Sequence, residues 1–144
     1  NTLSGTLSMP SSLTSFSCTG SNTLSGTLSM PSSLTYFACY GSNTLSGTLS
    51  MPSSLTYFAC TGSNTLSGYI RSTKSNNQSR FQLEGLNTMS STDVDNILLD
   101  YAEVTTWSGY KTFILQGNAS NRTSTSDAAY ATLQTKGLTT LSVD

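Results

Sequence analysis

Polar and apolar positions recur in a fixed phrase along the first half of the chain. Residues 1–21 read NTLSGTLSMPSSLTSFSCTGS, residues 22–42 read NTLSGTLSMPSSLTYFACYGS, and residues 43–63 read NTLSGTLSMPSSLTYFACTGS. A fourth copy starts as NTLSG at Asn64 and diverges at Tyr69. A period of 21 residues rich in Leu, Asn and Gly predicts stacked units, each burying its apolar side against its neighbours. Phe16 and Cys18 stand two apart, so on a strand both point inward while Ser15, Ser17 and Thr19 point out. Stacking such units predicts a parallel sheet. Met9-Pro10-Ser11-Ser12 breaks any helix, so the opposite side of each unit is expected to be extended or turn-like. Each unit would bury several Leu with Phe and Cys, at roughly 1.5–3 kcal/mol per large side chain before entropy is subtracted.

From Leu13 the phrase runs L-T-S-F-S-C-T-G-S-N-T-L-S-G-T-L, with Leu13, Phe16, Cys18, Asn22, Leu24, Ser25, Gly26 and Leu28 at its fixed points. This resembles the leucine-rich repeat, L-x-x-L-x-L-x-x-N-x-L followed by S-G-x-L, in its plant-like, bacterial and phage forms. One residue more than in that pattern separates Cys18 from Asn22, and 21 residues is short for the family. The match recurs at Leu34/Phe37/Cys39/Asn43/Leu45 and at Leu55/Phe58/Cys60/Asn64/Leu66. The resemblance implies an α/β solenoid: a right-handed coil with a parallel sheet on its concave face, a mostly non-helical convex side in the repeats, and two short helices in a C-terminal cap. Asn22, Asn43 and Asn64 would then form an inward ladder whose amides serve backbone groups that no regular element satisfies.

The three full copies differ only at Ser15/Tyr36/Tyr57, Ser17/Ala38/Ala59 and Thr19/Tyr40/Thr61, all outward strand positions. In a leucine-rich repeat these line the face on which ligands commonly dock. Tyr36, Tyr40 and Tyr57 would each offer aromatic area and a hydroxyl, with Ser15, Thr19 and Thr61 beside them. Drift at positions where the core does not object is the plainer explanation of the same substitutions. Cys18, Cys39 and Cys60 fall at equivalent inward places. An odd count at 21-residue spacing does not suit a disulfide framework, so they read as buried reduced thiols rather than metal ligands.

Beyond Gly68 the period loosens and two regions are expected, repeats over 1–68 and divergent repeats with a cap over 69–144. Arg80-Phe81-Gln82-Leu83-Glu84 restores the alternation, with Arg80, Gln82 and Glu84 outward, after a polar insertion over 71–79. A helix is expected over 91–102, capped by Ser91 or Thr92, with Val94, Ile97, Leu98 and Tyr101 on one face. A strand over 111–116, a second helix over 126–136 ending at Gly137, and a last L-x-x-L-x-V strand at 138–143 follow. Six strands are thus expected in one sheet, centred near Phe16, Phe37, Phe58, Phe81, Phe113 and Leu141.

Composition sharpens this picture. The 144 residues include 6 Lys+Arg, 7 Asp+Glu and no His, for a net charge of −1, and every charge lies at or after Arg71. Six scattered basic residues cannot track a phosphate backbone, so no nucleic-acid partner is expected. Without His, most zinc sites and the usual hydrolytic triads and dyads are closed, so neither an enzyme nor a cofactor is expected. Asp93, Asp95, Asp100 and Glu103 form the one acidic cluster. Its spacing lacks the Gly and terminal Glu of a calcium loop, so it reads as helix capping. Trp107 reads as packing rather than a sugar platform. The sequons at Asn77, Asn118 and Asn121 are expected by chance in a chain this rich in Asn, Ser and Thr.

The chain opens on Asn1 in mid-motif with no signal peptide or membrane run, and reads as the C-terminal part of a longer array. The functional expectation is a non-enzymatic module of an extracellular, cell-surface or virion protein, binding a host-surface protein or glycan. A spacer or self-assembling filament or phage-fibre subunit, with copies of itself as partner, is the alternative. Ice binding by Thr2/Thr23/Thr44 and Thr6/Thr27/Thr48 is a minor third.

Overall fold

A computed structural model describes residues 3–74, 76–117 and 120–144. Thr2 of the threonine ladder and the Asn118 sequon lie outside the described residues. The chain alternates between two parallel sheets. Strands β1 (Ser4–Thr6), β3 (Thr23–Thr27), β5 (Thr44–Ser50) and β7 (Thr65–Ile70) form one, in that order. Strands β2 (Ser15–Cys18), β4 (Tyr36–Cys39), β6 (Tyr57–Cys60), β8 (Asn77–Glu84), β9 (Thr106–Gln116) and β10 (Thr140–Val143) form the other. The six expected strands are therefore present in one sheet, and Phe16, Phe37, Phe58, Phe81, Phe113 and Leu141 stand opposite one another in register.

The Asn-Thr-Leu-Ser-Gly phrase supplies the other sheet. Leu24, Leu45 and Leu66 point into the core and the hydroxyl residues beside them point out, so the segment reads as strand once a parallel neighbour satisfies its backbone. Its register steps by 19 residues where the six-stranded sheet steps by 21 through the repeats, so Thr44 lies beside Ser25.

Between the sheets one continuous core runs from Cys18 to Leu133. Along it Phe16, Phe37, Phe58, Phe81 and Phe113 stack in a file with ring centroids 4.9–5.6 Å apart. Asn43 Oδ1 accepts from Leu24 N at 3.0 Å and Asn64 Oδ1 from Leu45 N at 3.0 Å, while Asn22 serves Leu3 N at 3.1 Å. The Asn ladder has a further rung that the 21-residue period hid. Asn87 Oδ1 accepts from Leu66 N at 3.2 Å, and the shared Gly-x-Asn spacing at Gly20, Gly41, Gly62 and Gly85 is its signal. Those glycines are required by close approach as well as by positive φ: a methyl on Gly41 or Gly62 would run into the carbonyl oxygen of Gly20 or Gly41.

Two helices follow the repeats. Helix α1 (Ser91–Ala102) buries Val94, Ile97, Leu98 and Tyr101 as its period predicts. Its cap is Ser90, one residue before the expected pair, because Ser90 and Asp93 close a reciprocal capping box. Helix α2 (Asp127–Thr135) follows a single 3-10 turn at Ser124–Ser126 and buries Ala129 and Leu133. Among the described residues no helix is long and apolar enough to cross a membrane.

Candidate functional site

The outward side of the six-stranded sheet carries Ser15, Thr19, Tyr36, Tyr40, Tyr57, Thr61, Arg80, Gln82 and Glu84, the residues singled out by the alternation of the repeats. Register brings Ser15, Tyr36, Tyr57 and Arg80 into one row across four strands. Tyr36 stacks on Tyr57 with centroids 4.3 Å apart and an 18° interplanar angle, and the Arg80 guanidinium lies 5.6 Å from the Tyr57 centroid. Tyr40 reaches over from the outward position beyond Ala38, its hydroxyl 3.0 Å from that of Tyr57. Arg80 Nη1 donates to both phenol oxygens, at 3.1 Å to Tyr40 and 3.3 Å to Tyr57.

Tyr57 does not offer the open ring expected from its outward position. It is only 6% exposed, and together with Ala38 and Ala59 it makes a small second core on the outside of the sheet. The tyrosines pack against two alanines and exclude water from that patch, which explains why Ala replaces Ser17 in the two copies that carry Tyr. Burial raises the Tyr40 hydroxyl above its ordinary pKa, with the Tyr57 hydroxyl adding to the effect. For Arg80, burial alone would disfavour the charge, but the two phenol oxygens outweigh it and the group stays cationic.

Tyr110 completes the cluster and was not legible in the alternation. Strand β9 starts at Thr106 rather than near Lys111. It bulges between Trp107, opposite Gln78, and Thr112, opposite Arg80, so residues 108–111 face a single residue of β8. Gly109 and Lys111 take positive φ in this bulge. Tyr110 is delivered over the outer face, edge-on to Tyr57 at 5.6 Å and 4.8 Å from the Arg80 guanidinium, with 60% of its surface exposed. A Gly inside a strand pattern, Ser108-Gly109-Tyr110, was the available signal. Further along the face Gln82 Nε2 donates to Glu84 Oε1 at 2.6 Å. Among the described residues Arg80 forms no ion pair, its Nε is buried without a partner, and so is Gln82 Oε1.

The acidic cluster is not a capping device as a whole. Asp93 caps α1 and also accepts from Tyr69 N at 3.0 Å; although burial works against its charge, the hydrogen bonds from Ser90 and Tyr69 lower its pKa. Asp95 is buried and instead accepts from Thr123 N and Ser126 Oγ, tying α1 to the chain before α2. Asp100, also buried, accepts from the Tyr69 hydroxyl at 2.8 Å, Arg71 Nε at 2.7 Å and Ser72 N at 3.0 Å, with Lys74 Nζ 3.6 Å away. Burial pulls Lys74 down to about 8 against the opposing pull of Asp100. A cleft of about 290 Å³ lies over Arg71, Ser72, Thr73, Asp100 and Glu103. Its carboxylates and cations satisfy one another, so it holds the insertion after β7 against α1.

Cys18, Cys39 and Cys60 are buried free thiols in adjacent strands. Burial, with Cys18 as its neighbour, pushes Cys39 up to about 12, which leaves the thiol inert at neutral pH. No group of three or more His, Cys, Asp or Glu side chains among the described residues is placed to hold a metal ion. Trp107 is 6% exposed and packs on Tyr101 and Phe113. On the four-stranded sheet, Thr27 and Thr48 lie exposed, their methyls close to Gly47 and Gly68 of the next strand. The chain matches no protein-family model, no curated protein and no solved structure.

Proposed function

We propose that the chain is a non-enzymatic recognition module of an extracellular, cell-surface or virion protein, built as a leucine-rich-repeat solenoid and binding a host-surface protein or glycan through the outward side of its six-stranded sheet. The observation that carries this reading is the Tyr36, Tyr40, Tyr57, Arg80 and Tyr110 cluster. The tyrosines of the repeats occur only where the copies differ, and they converge with two residues from outside the repeats on one patch. Aromatic rings beside an Arg with no carboxylate partner are the composition that dominates binding energy at recognition surfaces. Replacing Tyr36, Tyr40 and Tyr110 together by Ser, which spares the buried Tyr57, is expected to abolish binding on an array of host-surface glycans and proteins. Unchanged binding by a variant of native circular dichroism would overturn the reading.

A further inference from the structure

We infer that the ligand of the outer face is an acidic oligosaccharide, several uronate-type sugars long, lying across the strands along the row Ser15, Tyr36, Tyr57, Arg80. The inference rests on the outer face being the binding surface and names what binds there.

Three observations carry it. The aromatic row stops abruptly. Tyr57 is covered on one side by Tyr36, but the strand position that would cover the far face of Tyr36 is Ser15, small and exposed. The next place in the stack is therefore open, walled by a tyrosine face and floored by a hydroxyl, which suits a sugar ring with its apolar face on the aromatic and its hydroxyls towards Ser15 and the neighbouring Ser17 and Thr19. At the other end of the row stands Arg80, a cation without an acidic partner among the described residues, against the exposed ring of Tyr110; Lys111, exposed and also without an acidic partner among them, follows Tyr110 in the bulge. The only acid among the expected site residues, Glu84, lies four residues away along β8 and is turned to Gln82, so the row itself is positive and neutral.

The length of the row sets the size of the ligand. From Ser15 to Thr112, the partner of Arg80, the register crosses four strand intervals, about 19 Å at the usual ~4.8 Å spacing. One ring cannot reach from the open face of Tyr36 to the Arg80 guanidinium, whereas a short chain of sugars can.

Calorimetric titration of the intact chain tests this with three probes: a galacturonate hexasaccharide, a neutral galactose hexasaccharide, and polyglutamate of equal charge. The expected result is binding of the galacturonate alone, weakened by salt and lost when it is shortened to the monosaccharide. Arg80→Gln should weaken it about tenfold, the loss of one charged hydrogen-bonding group. Ser15→Tyr should remove it by filling the open place with the chain's own ring, at a melting temperature no lower than that of the parent, so the loss cannot be ascribed to unfolding. Equal binding of the neutral sugar or of polyglutamate, with Ser15→Tyr still blocking it, would overturn the ligand class and leave the surface standing. Galacturonate binding indifferent to both substitutions would overturn the surface itself, and no binding by any probe would overturn the inference.

Discussion

The uncharged repeats and the charged region after them are held together by different chemistry. In the six-stranded sheet of the repeats a side chain's neighbour is its own copy, one period away: Phe37 on Phe58, Ala38 beside Ala59, Cys39 beside Cys60. Only side chains that tolerate themselves can occupy such places. Phe, Tyr, Leu and Asn do, and Ser and Thr can bond the backbone of the preceding unit, as Ser54 Oγ does to Leu34 O at 2.6 Å and Thr56 Oγ1 to Thr35 O at 3.1 Å. A Lys or Glu would face another Lys or Glu, which is destabilising when directly opposite. The absence of charge before Arg71 follows from repetition itself. Once the period breaks, neighbours differ and charges find complements: Asp100 with Arg71, Asp95 with Thr123, Lys136 with the Val104 carbonyl.

The sharpest tests strike each mode of cohesion at its centre. Phe58→Ala, between Phe37 and Phe81, is expected to cost about 3–5 kcal/mol in urea unfolding. Asp100→Ala should cost about the same, because it strands the buried Lys74, and Lys74→Met in the same chain should recover much of the loss. If the second substitution gives no recovery, Asp100 is not there to compensate a charge. Asn43→Ala should cost about 1–3 kcal/mol by leaving the buried Leu24 N–H unpaired. The thiols give a pH test. Cys39 is raised from 9.0 to about 12 by burial, so the folded chain binds the proton more tightly than the unfolded one. Its contribution is complete below pH 9 and is lost as pH rises towards 12; replacing Cys39 by Ala should flatten that part of the alkaline unfolding profile. The smallest effect tests the rule of repetition. Thr14→Lys with Thr35→Lys, one above the other, should be about 0.2–1 kcal/mol worse than the sum of the single changes, and Thr14→Lys with Thr35→Glu should not be. Additivity of the two lysines would refute the explanation for the missing charge.

What could be read in advance divides along the same line. Wherever the period holds, the alternation around Phe16, Phe37 and Phe58 located the six-stranded sheet, the inward thiols and the Asn rungs, because one register decision applied to every copy. The four-stranded sheet was not legible as strand, since Ser-Gly-Thr carries turn residues and only pairing with an identical neighbour makes it extended. The Asp100 cluster and Tyr110 escaped for a different reason. Each depends on partners brought together by one particular insertion or bulge, and no periodicity announces these. Tyr36, Tyr40, Tyr57 and Arg80 were placed on the outer face of the sheet, but the tight packing that buries Tyr57 beneath its neighbours is a property of side-chain size that alternation does not encode.

The in-register file of phenylalanines makes the molecule editable in whole steps. Residues 22–42 could be cut out and Ser21 joined to Asn43, and the inward residues left behind would meet partners of the same shape, Phe16 now against Phe58 and Asn43 below Leu3. Such a shortening keeps the scaffold but brings Ser15 directly beside Tyr57, so the number of repeats acts as a ruler for how far the row of rings extends before it meets open space.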